Sequence, residues 1–163
     1  MSSPAPASPD PVMDRITALI QASHAGERAA ARAGFEELWP ALTDPFHRCV
    51  LAHYAADVQD DPHAELEWDE RSLAAAGEVP QGRAEAHHPA LQLQGFYPSL
   101  HLNLAEDHRR LGDPERAREH LAAARARLDA LAGTEDAAPG YADGIRAALD
   151  RLAERLEGAG SAG

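Results

Sequence analysis

The stretch YPSLHLNLAEDHRRLGDPERAREHLAAARARL, residues 97–128, carries the pattern that decides the fold. It contains a small residue and a bulky apolar residue four positions apart, a pairing that occurs three times in the chain: Ala31 with Phe35, Ala64 with Trp68, and Ala117 with Leu121. The second pair follows the first by 33 residues, and the third follows the second by 53. A period of about 34 residues, with one insertion, indicates helical hairpins that stack because a single hairpin cannot bury its apolar face.

Composition predicts an all-α protein. Alanine and leucine dominate, aromatic residues make up only 5% of the 163 residues, and runs of alternating β-branched residues are missing. This length predicts one domain with its own core, over residues 10–157. Residues 1–9 and 158–163 show no apolar periodicity and have too little apolar surface to offset the entropy of ordering, so we expect two disordered tails.

The charge balance excludes several classes of function. The formal net charge of -12 comes from 27 acidic and 15 basic residues, and every basic residue is an arginine. Without lysine, the chain cannot form a Schiff base or use a lysine nucleophile. An acidic surface repels phosphate backbones, so we expect no nucleic-acid partner.

The sequence also predicts the cellular compartment. Neither a charged-then-apolar leader nor a long apolar stretch is present, so we expect no membrane contact. The single cysteine, Cys49, excludes an internal disulfide. These features predict a cytoplasmic protein.

Helix starts are marked by one dipeptide, Asp-Pro, at 10–11, 44–45, 61–62 and 113–114. The aspartate accepts hydrogen bonds from free N–H groups of the first turn, where proline loses nothing because its missing N–H had no partner. The predicted helices span 11–24, 27–40, 45–58, 62–77, 98–111, 114–132 and 139–157. The last of them has one apolar stripe, which suits a terminal capping helix: Ile145, Leu149, Leu152 and Leu156.

Residues 78–97 break the helical pattern, because they hold two prolines and two glycines. They form the insertion that lengthens the second repeat spacing. A long loop of this kind is either functional or a structural strap that packs through its apolar residues, and both interpretations remain open.

The stretch quoted first resembles a tetratricopeptide repeat (TPR). That family has a Leu-small pair on the first helix, a glycine at the turn, and small and bulky residues at fixed places on the second helix; here these are Leu104, Ala105, Gly112, Ala117, Leu121 and Ala124. The first unit repeats the second half of the pattern at Gly26, Ala31, Phe35 and Leu38. The middle unit matches at Leu51, Ala52, Ala64 and Trp68, but it lacks the glycine and has Arg71 at the last small position. The resemblance implies a right-handed α-solenoid of about three TPR-like helical hairpins plus a C-terminal capping helix.

TPR proteins bind peptides or partner proteins along the concave face formed by the first helix of each hairpin, and the resemblance implies the same here. By position, this face presents seven candidate binding residues: Phe46, Cys49, His53, Asp57, Glu106, Arg109 and Arg110. Arg109 and Arg110 would hold a carboxylate of the partner in a forked pair. We therefore expect a protein-interaction module without enzymatic activity.

The sequence gives less support to a catalytic cysteine or a metal site. Cys49, His53 and Asp57 follow one another at intervals of four, as an activated nucleophile on one helix face would. The outer two lie about 12 Å apart along a straight helix, which favours a buried, inert cysteine. His53 and Asp57 also offer metal ligands together with His87 and His88, but no zinc-type spacing is present. We therefore expect no metal and no cofactor.

Two alternatives to the interaction module remain. One is a small-molecule or metal-binding helical protein whose pocket is closed by the 78–97 insertion. The other is a structural subunit that associates with copies of itself through the exposed ends of the solenoid. The sequence leaves the oligomeric state open.

Overall fold

The computed structural model describes residues 10–80, 89–131 and 140–160, and for residues 89–94 it describes the backbone alone. Within these ranges the chain forms seven α-helices, one 3-10 helix and no strand, which confirms the all-α prediction. The α-helices are α1 Pro11–His24, α2 Arg28–Leu38, α3 Pro45–Asp57, α4 Pro62–Glu78, α5 Pro89–Arg110, α6 Pro114–Leu131 and α7 Tyr141–Gly160. The 3-10 helix, Trp39–Ala41, follows directly on α2. None of these helices is long and apolar enough to cross a bilayer.

All four Asp-Pro dipeptides begin helices, as predicted. Each aspartate accepts a hydrogen bond from a backbone N–H of the first turn, at 2.8 to 3.1 Å: Asp10 from Met13, Asp44 from Phe46, Asp61 from His63, and Asp113 from Arg116. The Asp10 carboxylate also lies 2.7 Å from His47 Nε2 on α3. The cap of the first helix therefore also links it to the third.

Glycine closes the turns inside the first and third predicted hairpins. Gly26 and Gly112 have φ angles of 90° and 83°, in the left-handed region that glycine adopts without steric cost. At the turn that contains Gly112, between α5 and α6, the Asp113 N–H donates to the carbonyl of His108 at 2.8 Å. This bond satisfies an end carbonyl of α5 and lets α6 begin immediately afterwards.

Helices that are neighbours in sequence pack against each other: α1 on α2, α3 on α4, and α5 on α6, with α4 also against α5. A first hydrophobic cluster, around Phe35, is formed by α1 to α4. A second cluster, around Leu149, is formed by α5 to α7. A smaller third cluster joins α3, α4 and α5 through Cys49, Ala76 and Leu100. The contact between α4 and α5 therefore connects the helices that form the first cluster with those that form the second.

Helix α5 differs most from its prediction. It begins at Pro89, so the second part of the predicted 78–97 insertion is helical. Pro98, predicted as the first helical residue, instead lies inside the helix, where it removes one backbone N–H donor. Phe96 and Tyr97 pack against the third cluster and stabilise this part of the helix.

Helix α7 confirms the predicted stripe and extends beyond the predicted end. Its buried face packs on α5 and α6 through three of the predicted residues: Leu149, Leu152 and Leu156. The helix continues to Gly160, because no proline stops it. The predicted tail 158–163 is therefore helical at its start, and its last three residues, like residues 1–9, lie outside the described part of the chain.

Candidate functional site

Phe46 and Cys49, two of the predicted groove residues, pack in the interior. Phe46 is half-buried against the first and third clusters. Cys49 is fully buried, with its sulfur 3.5 Å from Ser72 Oγ, and the Ser72 hydroxyl donates to the Cys49 carbonyl at 2.8 Å. Burial raises the pKa of the Cys49 thiol, which keeps it protonated at neutral pH. Cys49 therefore lies in the core, and Phe46 lies at its edge.

His53 lies one turn further along α3, among aromatic rings. Its ring packs edge-to-face on Tyr54 and on Phe96 of α5, with centroids 5.1 Å and 5.5 Å apart. Burial lowers the pKa of His53 to about 4, so the imidazole is neutral at pH 7. Its Nδ1 has no hydrogen-bond partner among the described residues. His53 is thus a packed, uncharged ring with one unused nitrogen.

Arg109 is paired within its own helix. Its Nε and NH2 groups donate to the two carboxylate oxygens of Glu106, at 2.9 Å and 2.7 Å. These hydrogen bonds lower the pKa of Glu106. Arg155 of α7 approaches the same carboxylate at 3.5 Å. The fork that was predicted to hold a partner's carboxylate is therefore already closed on Glu106.

Arg110 links α5 to α4. Its NH2 group lies 2.8 Å from Oε2 of Glu65 and 3.1 Å from Oδ1 of Asp107. The hydrogen bond to Glu65 raises the pKa of Arg110 further, so the guanidinium is permanently charged. The second predicted anion receptor thus serves as counter-ion for two acids of its own chain.

Glu65, Asp69 and Asp107 form a carboxylate centre between α4 and α5. One oxygen from each side chain lies within 4.8 Å of the other two. Asp69 and Asp107 are each 1% exposed, whereas the Glu65 side chain is 23% exposed. The centre is therefore closed on the aspartate side and reachable from solvent on the Glu65 side.

The carboxylate centre has fewer hydrogen-bond donors than its oxygens can accept. Neither oxygen of Asp69 receives a hydrogen bond from an N–H or hydroxyl group of the described residues, and Oδ2 of Asp107 receives none either. Burial, and then a proton shared with Asp107, raise the pKa of Asp69 well above its usual range. Burial also raises the pKa of Asp107. Near neutral pH one proton is therefore held between the two aspartates.

Asp57, at the end of α3, adds a further negative charge nearby. Loss of hydration, and then repulsion from Glu65, raise the pKa of Asp57 to about 6. The residue nevertheless keeps an exposed surface, and its backbone carbonyl accepts a hydrogen bond from Arg28 at 2.9 Å. The negative potential of the buried centre thus extends to the protein surface.

Sequence analysis missed this centre, although a local signal for it exists. Asp69 is in phase with the buried Ser72 and Ala76, three and seven residues later, and Asp107 follows the buried Leu104 by three. A charged residue on an otherwise buried helical stripe marks an unusual position. Periodicity does not reveal that the two stripes face each other, because that depends on how α4 packs on α5.

Comparison with protein-family models, with curated proteins and with solved structures gives no match to this chain. The function is therefore argued from the chemistry of the site.

Proposed function

We propose that this protein binds a hard divalent cation in the carboxylate centre of Glu65, Asp69 and Asp107. The observation that supports this proposal is three buried carboxylate oxygens, of Asp69 and Asp107, that receive no hydrogen bond from an N–H or hydroxyl group of the described residues. Burying a carboxylate without a partner is costly, because the lost hydration is not replaced. A bound cation would replace the lost hydration of these carboxylates. The proposal differs from the sequence-based prediction of no metal.

The charge of the centre suits a divalent ion. Three ionised carboxylates and one guanidinium, that of Arg110, leave two negative charges. Carboxylate oxygens favour hard ions such as Ca²⁺, Mn²⁺ and Mg²⁺. The proton now shared by Asp69 and Asp107 would be released when the ion binds.

The irregular arrangement of the ligands, from two helices and with unequal burial, favours an ion with flexible coordination. Oxygens on opposite sides of a Ca²⁺ ion lie about 4.8 Å apart, at bond lengths of about 2.4 Å. The three ligand oxygens already lie within that distance of one another. Mg²⁺ demands near-ideal octahedral geometry and gives up its water ligands reluctantly, whereas Ca²⁺ accepts irregular sets of six to eight oxygens. We therefore expect Ca²⁺ or Mn²⁺ to bind more tightly than Mg²⁺.

The test is a calorimetric titration of chelator-treated protein with each of the three ions, with native mass spectrometry to count the ions bound. We expect one Ca²⁺ or Mn²⁺ ion per chain. The isosteric variants Asp69→Asn and Asp107→Asn should bind it more than about tenfold more weakly, because even the outer partners of metal ligands contribute about 10- to 100-fold. Asp150→Asn is the matched control, since Asp150 is an exposed carboxylate that pairs with Arg125 at 3.2 Å.

Two results would refute the proposal. One is the absence of saturable binding of all three ions at millimolar concentration. The other is binding that Asp69→Asn leaves unchanged. Either result would mean that protons and Arg110 balance the negative charge of the centre without a metal ion.

A TPR-type interaction module is the second candidate function. In this proposal the hairpins stack as a right-handed α-solenoid, and a partner protein lies along α3 and α5. The negative potential around the exposed Asp57 favours it. Because Arg109 and Arg110 are engaged within the chain, the partner would present a basic side chain rather than a carboxylate.

Competition between the two ligands distinguishes these candidates. A basic side chain that reaches the centre past Glu65 would be displaced by Mn²⁺, and its binding would weaken in Glu65→Gln but not in Asp150→Asn. The measurement is affinity capture of partners with each variant, with and without Mn²⁺. Equal recovery of the same partners under all these conditions would exclude the carboxylate centre as their binding site.

A further inference from the structure

A second charged site lies on the opposite side of α4 from the carboxylate centre. It is a cavity of about 170 Å³ lined by Trp39 of the 3-10 helix, Arg48 of α3, and Arg71, Ala74, Ala75 and Glu78 of α4. Arg71 follows Asp69 by two residues, which turns its side chain to the other side of the helix. The cavity is therefore separate from the proposed cation site.

Two guanidinium groups meet on one indole ring in this cavity. Cζ of Arg48 lies 4.6 Å from the centroid of Trp39, and Cζ of Arg71 lies 5.7 Å from the same centroid. Arg71 also lies 4.5 Å from the ring of Trp68, which packs edge-to-face on Trp39 with centroids 5.2 Å apart. A guanidinium group over an aromatic ring keeps its N–H donors in its own plane, where they can still bind another group.

Arg48 has donors that nothing in the described chain uses. Its Nε is buried and has no hydrogen-bond partner, and no carboxylate of the described residues lies within ion-pair distance of its guanidinium. Arg71, by contrast, pairs with Glu67 at 2.5 Å. An unpaired arginine is unexpected in a chain with 27 acidic and 15 basic residues, since acidic partners are abundant. A buried charged donor without a partner carries a desolvation cost that a bound anion would remove.

We propose that this cavity binds the carboxylate group of a ligand with an apolar body. The in-plane donors of Arg48 match the two oxygens of a carboxylate, and Arg71 adds a second positive charge. The apolar body would lie against the indole of Trp39 and the methyl groups of Ala74 and Ala75. A carboxylate is preferred to phosphate because it carries a single negative charge, and Glu78 at the edge of the cavity repels a second one.

The tryptophans provide a direct measurement. Trp39 and Trp68 are the two tryptophans of the chain, and both contact the guanidinium groups of the site. Fluorescence titrations with phenylacetate, with its uncharged amide and with inorganic phosphate separate the effects of charge, shape and anion type. Acetylated tripeptides ending in phenylalanine, with a free or an amidated C-terminus, test whether the carboxylate of a protein chain is accepted.

We expect a saturable fluorescence change with phenylacetate, with the free-acid peptide, or with both, and which of them binds identifies the source of the carboxylate. The amide forms and phosphate should bind at least about tenfold more weakly. Arg48→Gln should weaken carboxylate binding by a similar factor. Arg48→Lys keeps the charge but loses the paired donors, so its affinity for the carboxylate should lie between those of wild type and Arg48→Gln. Arg116→Gln is the control, because Arg116 is an exposed arginine that pairs with Asp113 on α6.

Circular dichroism establishes that each variant is folded, and the comparison of acid with amide on the wild-type protein does not depend on any variant. The proposal is overturned if neither carboxylate probe gives a saturable change, if the amides bind as well as the acids, or if phosphate binds as tightly as the carboxylates. It is equally overturned if Arg48→Gln, still folded, binds the acids like wild type.

Discussion

Two clusters of charge connect neighbouring helices in this protein, and they differ in how completely their groups are paired. At the end of α3, Asp60 accepts hydrogen bonds from Arg28 at 3.2 Å and from Arg32 at 2.7 Å. The same guanidinium groups also donate to backbone carbonyls, among them that of Val58 at 2.9 Å. In the carboxylate centre, one arginine faces three carboxylates, two of them almost fully buried.

The difference distinguishes a structural cluster from the proposed binding site. The Asp60 cluster is exposed, has more donors than acids, and satisfies the carbonyl groups at the end of a helix. Its function is complete without any ligand. The carboxylate centre has more acids than donors and its two aspartates are almost fully buried, so in our proposal a bound cation balances its negative charge.

The largest expected effect comes from removing Arg110, the cation that the described part of the chain places in the centre. Arg110→Met leaves Glu65 and Asp107 without their counter-ion, and we expect it to lower the free energy of unfolding by about 2 kcal/mol in chelator. The value lies below that of a fully buried pair because the Arg110 side chain is 37% exposed and solvent screens part of the charge. Chemical denaturation measures the loss, and saturating Ca²⁺ or Mn²⁺ should restore part of it.

Arg109→Met is the control for this variant. Arg109 is also a half-buried arginine of α5, but its partner Glu106 is 29% exposed, has no buried aspartate beside it in the pair, and keeps a second cation, Arg155. We expect a loss below about 1 kcal/mol and no effect of the metal ions. Equal losses in the two variants would mean that the carboxylate centre is no more sensitive to charge than the protein surface.

A smaller effect is expected for Asp69→Asn, and it depends on pH. Because the folded state raises the pKa of Asp69, that state binds the proton more tightly than the unfolded chain does. The resulting stability is complete below the unfolded pKa of about 3.8 and is lost as pH rises towards the folded value. The variant has no such proton, so in chelator its stability relative to wild type should rise between pH 6 and pH 9, by on the order of 1 kcal/mol.

Denaturation curves of both proteins at the two pH values test this prediction. Asp150→Asn, on the surface of α7, should show no such trend. Parallel pH profiles for Asp69→Asn and wild type would indicate that Asp69 titrates normally and that the centre is hydrated.

The smallest effect is expected in the Asp60 cluster. Arg28→Gln removes one of two guanidinium groups from an exposed acid, and Arg32 remains in place. We expect a loss below about 1 kcal/mol that shrinks further at high salt, as exposed ion pairs do. Denaturation at low and high ionic strength measures it. A loss as large as that of Arg110→Met would contradict the distinction between the two clusters.

Much of the fold was predictable because it depends on short-range chemistry. Asp10, Asp44, Asp61 and Asp113 all cap helices as expected, since the aspartate and the following proline act within one turn. The start of α5 was mispredicted for a related reason. Pro98 carries the local signal of a helix start, and packing of the preceding aromatic residues outweighs that signal.

The candidate site was much less predictable. His53 and Asp57 were correctly recognised as polar residues on one helix, but their surroundings depend on α4 and α5. The carboxylate centre combines Asp69 with Asp107, which lie 38 residues apart and meet only because two helices pack side by side. The intrachain partners of the arginines were not predictable for the same reason, since Glu65, which pairs with Arg110, lies on a different helix.

The carboxylate centre also lies at the boundary between the first and second hydrophobic clusters, where α4 contacts α5. In proteins built from neighbouring helix pairs, the interfaces between pairs determine which segments open together. Without a cation, repulsion at this boundary weakens the link, so backbone amides of α6 and α7 should exchange hydrogen independently of those in α1 to α3. A bound cation would join the two halves into one cooperative unit. The length of chain that unfolds together would then depend on the concentration of the ion.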